Sequence, residues 1–183
     1  MSVGTIVTIV LLMTVLILGL VMVRTIFRSS TENINAIDTA VKSEINKLFS
    51  EDNTRKVVIY PATRTITIKK GETAGFGFAI RNTETSSVEE EATPEFSYTV
   101  AASGTNTCGM DEDDANKLII FGASGEGIPI ASGDSNVENA ILVTYEIPES
   151  VPLCKIRYIL NIEKDGVTYL PGGVSVDLTI ASK

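Results

Sequence analysis

Cys108 and Cys154 are the residues in this chain with the most chemistry to offer, and there is no histidine to work with them. Without an imidazole, Ser-His-Asp and Cys-His arrangements are excluded, and two thiols cannot close a structural zinc site. Two fates remain for the pair. They are either buried thiols or one disulfide, which closes a loop of 46 positions and contributes roughly 3–4 kcal/mol. Disulfides persist in oxidising compartments, so the second fate goes with a place outside the cell. The acids come next. "DEDDAN" (111–116) has oxygens for calcium but lacks the Gly and distal Glu of a known calcium loop, so a solvated acidic loop is the expectation. Glu89–Glu91 stand in a polar stretch with nothing to desolvate them, and a raised catalytic pKa is not expected there. The Gly-rich "FGASGEG" lacks the Lys-Ser/Thr ending of a phosphate loop, and no helix pattern follows it. No Asn-x-Ser/Thr triplet occurs, while the many Ser and Thr leave O-glycosylation open. The chain reads as a non-enzyme with no cofactor and no metal.

The elements that position these residues separate by charge and by period. The 183 residues fit one domain plus an attachment element. Residues 51–183 hold 20 of the 23 acids and 11 of the 15 Lys and Arg, a net −9. An acidic surface argues against nucleic acid, which needs clustered cations. Over the same residues the apolar period is 2. "RTITIK", "GFGFAIR", "EFSYTV", "NAILVTYEI", "KIRYILNIE" and "VSVDLTI" each alternate apolar with polar or small residues. With "KVVIY" and "KLIIF" they predict about eight half-buried antiparallel strands, an all-β sandwich. "KDG" at 164–166 is a hairpin signal. The stretches "NTETSSVEEEATPE", "DEDDAN" and "GASGEGIPIASGDSN" read as loops.

Before residue 51 the pattern is of another kind. Residues 3–23 are almost wholly Val, Ile, Leu, Met, Thr and Gly, and as a helix they extend roughly 32 Å, enough to cross a bilayer core. A secretory signal would be shorter, with a basic start. Arg24 and Arg28 follow the run, which by the positive-inside rule would hold the next domain in the cytoplasm. That conflicts with an acidic, disulfide-bearing domain. The expected resolution is a short basic leader removed ahead of Met1; the other is a cytoplasmic domain with free thiols. From Arg24 to Phe49 there is no Gly or Pro, and Ile26, Phe27, Ile34, Ile37, Val41, Ile45, Leu48 and Phe49 recur at three- and four-residue steps. This predicts one helix over about 2–49. The fold class expected is α+β: a long N-terminal hydrophobic α-helix (1–50), a linker (51–55) and a β-sandwich domain (56–183).

"SVGTIVTIVLL", leading into such a helix joined to an outward sandwich, resembles the start of archaeal type IV filament subunits, the adhesive pilins and archaellins. "PATRTITIKKGETAGFGFAIRN" resembles the opening strands of immunoglobulin-like surface modules through its Pro…Lys-Gly-Glu-Thr…Asn pattern. Bacterial type IV pilins carry Glu at the fifth mature position, where Thr5 stands here. The resemblance implies an extracellular filament for adhesion or motility, a helical homopolymer whose precursor sits in the membrane and is handled by an assembly machinery. Its polymerisation core would be Val3, Gly4, Ile6, Val7, Ile9, Val10, Leu11, Leu12, Val15, Leu16, Leu18, Gly19, Val21 and Val23. Ile26, Phe27, Ile34, Ile37, Val41, Ile45 and Leu48 would pack the helix on the sandwich. The competing expectation is a single-pass, membrane-anchored surface module that binds a partner through its loops.

Overall fold

The computed structural model describes residues 4, 11–19, 41–52, 54–84, 93–105 and 108–183. The chain falls into two compact units, Met1–Ala40 and Val41–Lys183. In the first, residues 11–19 are helical.

The second unit begins with helix α1 (41–51). Ten strands follow: β1 (Val57–Tyr60), β2 (Thr65–Lys69), β3 (Thr73–Ile80), β4 (Glu95–Gly104), β5 (Ile119–Phe121), β6 (Ser124–Pro129), β7 (Ile141–Glu146), β8 (Lys155–Lys164), β9 (Val167–Thr168) and β10 (Val174–Ala181). A short helix α2 (Glu112–Asn116) precedes β5, and a 3-10 turn (Val137–Asn139) precedes β7. One sheet runs β1-β3-β7-β5 and the other β2-β10-β8-β4-β6, with β9 paired to β8. Pairings are antiparallel except β10 with β2, which is parallel. The chain leaves the first sheet at Tyr60, whose peptide bond to Pro61 is cis, and enters the second after Arg64 at φ 54°.

Period-2 alternation is what builds the two faces. In β8, Ile156, Tyr158, Leu160 and Ile162 are buried while Lys155, Arg157, Asn161 and Glu163 point out. β10 does the same with Val174, Val176, Leu178 and Ile180. Aromatic rings tie the inner faces together: Phe78 meets Tyr98 edge-on at 5.0 Å, and Tyr145 meets Tyr158 at 4.9 Å. Such pairs contribute about 0.5–1.5 kcal/mol beyond their buried area. In the KDG turn Asp165 and Gly166 both have positive φ, 49° and 75°, which sets Lys164 opposite Val167 in the β8–β9 hairpin.

One expectation is corrected. The α+β class with one long N-terminal hydrophobic helix does not hold. The protein is mostly β-sheet in two sheets, its described helical stretches are short, and among the described residues no helix is long and apolar enough to cross a membrane. Apolar spacing shows which face of a helix is greasy but does not set how far the helix runs, and residues 20–40 lie outside the described residues. Helix α1 groups with the second unit. The expected linker is partly held, because Asp52 accepts from the Thr54 amide (2.9 Å), the Thr54 hydroxyl (2.7 Å) and Arg55 Nε (3.1 Å).

Candidate assembly surfaces

The first surface lies in residues 11–19. Leu11, Leu12, Met13, Val15, Leu16, Ile17 and Leu18 are each 57–70% exposed, so apolar atoms face outward all around the helix. Thr14 hides its polarity by donating to the Leu11 carbonyl at 2.9 Å. Gly19 has nothing within 4 Å of where a Cβ would stand, leaving room for a close neighbour. Gly4 is exposed. Val3, Ile6, Val7, Ile9, Val10, Val21 and Val23 lie outside the described residues. A contiguous apolar surface of this kind marks a place that another surface covers.

The second surface is the seat of α1. Val41, Ile45 and Phe49, at i, i+4 and i+8, bury against Val58, Ala79 and Val137, with Leu48 and Tyr60 partly buried beside them. They cover the outer face of the β1–β3 pair. The strand is built to receive them, since Gly77 and Ala79 leave its outer face nearly flat. Burying three such side chains contributes about 1.5–3 kcal/mol each. Arg81 closes the far end, with its guanidinium 4.4 Å from the Phe49 ring centre and Nη1 3.5 Å from the Phe49 carbonyl. Ile26, Phe27, Ile34 and Ile37 lie outside the described residues.

Cys108 and Cys154 form a disulfide with Cα atoms 5.0 Å apart. The bond ties the start of the α2 loop to the strand entering β8. The acids of 111–114 start α2: Asp111 caps it by accepting from the Asp114 amide at 2.7 Å, and Asp114 pairs with Lys117 at 2.6 Å. Negative charge at a helix start is favourable, so the cluster serves the backbone. Among the described residues no group of three or more His, Cys, Asp or Glu is placed to hold a metal ion.

Three features escaped sequence reasoning. β6 formed in the stretch read as a Gly- and Ser-rich loop. Tyr169 became a junction: its hydroxyl donates to the Arg81 carbonyl (2.8 Å) and accepts from the Thr83 amide (3.0 Å), while Lys56 stacks on its ring at 4.2 Å. Asn82, fully buried, donates to the Ile130 carbonyl at 3.0 Å and locks the 130–136 loop to the end of β3. Nothing in the local spacing singles these out, because their partners lie tens of residues away.

Electrostatics on the sandwich are structural. On the outer face of β8 and β10, Asp177 takes Arg157 Nε at 2.9 Å and Lys155 Nζ at 2.8 Å, and these bonds hold its carboxyl below the usual range. Burial pushes the Tyr145 and Tyr158 hydroxyls well above theirs. Tyr158 donates to the Ala115 carbonyl at 2.7 Å, while the Tyr145 hydroxyl has no hydrogen-bond partner among the described residues.

No protein-family model matches the chain, and no curated protein matches it. Among solved structures, it is similar to the ASH/PapD-like domain 7 of human CEP192, at 14% identity and TM-score 0.36, over 72% of this chain and 87% of that one. A family 123 glycoside hydrolase from Clostridium perfringens is similar at 9% identity and TM-score 0.36, over 65% of this chain and 22% of the hydrolase. Likeness at this level carries no argument about what the chain does, so a reading of function rests on its own surfaces.

Proposed function

We propose that this protein is a structural subunit of an archaeal type IV pilus-like or archaellum-like extracellular filament, polymerising through its N-terminal apolar segment. The observation that carries the reading is the run of seven large apolar side chains within 11–18, each more than half exposed. A chain that keeps such a surface needs lipid or copies of itself against it. The resemblance of "SVGTIVTIVLL" to the start of archaellins and archaeal pilins supports copies as the final cover. Before assembly the segment rests in the membrane; afterwards it packs against its equivalents, so lipid contact is exchanged for side-chain contact. The β unit, acidic and cross-linked, forms the outer wall.

Negative-stain microscopy of the sheared cell-surface fraction tests this. Fibres labelled by an antibody to the β unit are expected. A monodisperse detergent-bound monomer without fibres overturns the reading in favour of an anchored surface module.

A further inference from the structure

The four-stranded sheet has two open ends with opposite character. β1 and β5 are its terminal strands, and among the described residues no strand pairs with the outer edge of either. We propose that these edges join between copies, β5 of one subunit adding to β1 of the next, with Phe121 entering the cleft beside β1. The proposal rests on the filament reading and names one contact within it.

Strand direction makes the join possible. β1 is antiparallel to β3, β3 to β7 and β7 to β5, so β5 runs opposite to β1. A copy moved along the sheet without turning over sets β5 against β1 in the antiparallel sense, and the sheet continues with its own pairing rule.

The edges also fit in shape and charge. β5 is irregular between Ile119 and Phe121, which face Tyr145 and Thr144 of β7, and Ile120 and Phe121 are 53% and 65% exposed. Two adjacent apolar side chains on an open strand edge are a pairing surface. Beside β1 lies an open cleft of about 490 Å³ with apolar walls, Val57, Ile59, Leu170 and Val174 among them. Arg55, Lys56 and Arg64 also line it, and although Arg55 pairs with Asp52 at 3.1 Å, the cleft keeps a net positive charge in a unit that is otherwise strongly acidic. The approach to β5 is acidic on balance instead, with Asp111, Glu112, Asp113 and Asp114 exposed before it against Lys117, which pairs with Asp114 at 2.6 Å. Joining β1 to β1 would face cations with cations, and β5 to β5 acids with acids. Only the unlike pairing is complementary. A heterologous contact of this kind repeats from copy to copy, and gives a fibre where its rotation does not close into a ring.

Cross-linking full-length subunits tests the contact. Ala62→Cys places a thiol on the cleft and Ile120→Cys places one on β5 with Phe121 kept, both at exposed positions that leave the Cys108–Cys154 bond alone. Mild oxidation of assembled mixtures is expected to give a mixed dimer, with several-fold less yield after charge reversal by Arg55→Glu with Arg64→Glu. Neither thiol variant alone should cross-link. Fibres without the mixed dimer, or with dimers of one variant alone, overturn the contact and leave the filament reading standing. A mixed dimer from detergent-solubilised protein that never forms fibres supports the contact and overturns the filament. Neither fibres nor mixed dimer overturns both.

Discussion

Gly77 sits so close beneath Val41 that a Cβ at position 77 would collide with the Val41 side chain. The contact decides how near α1 lies to the sheet. Gly77→Ala is expected to cost about 1–3 kcal/mol by overpacking, and adding Val41→Ala should recover part of it. Denaturant melts followed by tyrosine fluorescence check this. If the two effects add with no coupling, the seat of α1 is not where Gly77 matters.

The disulfide joins residues 46 apart in sequence. Replacing both cysteines by serine is expected to lower stability by about 3–4 kcal/mol, as loop-closure entropy returns to the unfolded chain. The measurement is the shift in denaturation midpoint, set beside wild-type protein with and without reductant. Reduced wild type should match the double variant.

Tyr145 and Tyr158 meet ring to ring, tilted by 50°, in the same core yet differ in hydrogen bonding. Tyr145→Phe removes a buried hydroxyl without a partner among the described residues and should be neutral or stabilising by up to about 1 kcal/mol. Tyr158→Phe removes the bond to the Ala115 carbonyl. That carbonyl keeps the Leu118 amide at 3.2 Å, so the cost should stay near 1 kcal/mol. Thermal melts of the two variants should move in different directions, or by clearly different amounts.

Asp177 makes stability depend on pH. Hydrogen bonds from Arg157 and then Lys155 lower its pKa below the ordinary 3.8. A depressed carboxyl contributes its full stability above the unfolded value and loses it as pH falls through the folded one. Asp177→Asn is therefore expected to cost about 0.5–1 kcal/mol at neutral pH, since both cations are half exposed. The gap to wild type should close as pH drops below about 4. A constant gap from pH 7 to pH 2.5 would contradict the assignment.

Much of the β unit was legible residue by residue. Each of the eight segments singled out by alternation or apolar runs carries a strand, and Asp165-Gly166 makes its hairpin. The Val41, Ile45 and Phe49 stripe marks the buried face of α1 (41–51). Gly77 and Ala79 are a signal that could have been used: small residues on the outer face of a strand announce a close neighbour. β6 was not legible, since "SGEGIP" has neither alternation nor β-branched enrichment, and its pairing with β4 supplies what propensity does not.

The sequence by itself determined the period of each stretch, the acidity of residues 51–183, the absence of any imidazole chemistry and the apolar run at 11–19. Only the tertiary structure decided that Cys108 meets Cys154, that β2 leaves β1's sheet to run parallel to β10, that α1 belongs with the sandwich, and that the two edges of one sheet carry unlike charge. Periodicity is local, set by how side chains alternate or wind along a few residues. Pairing, register and burial are contacts between residues far apart in the chain, and they exist only once the whole core has closed around them.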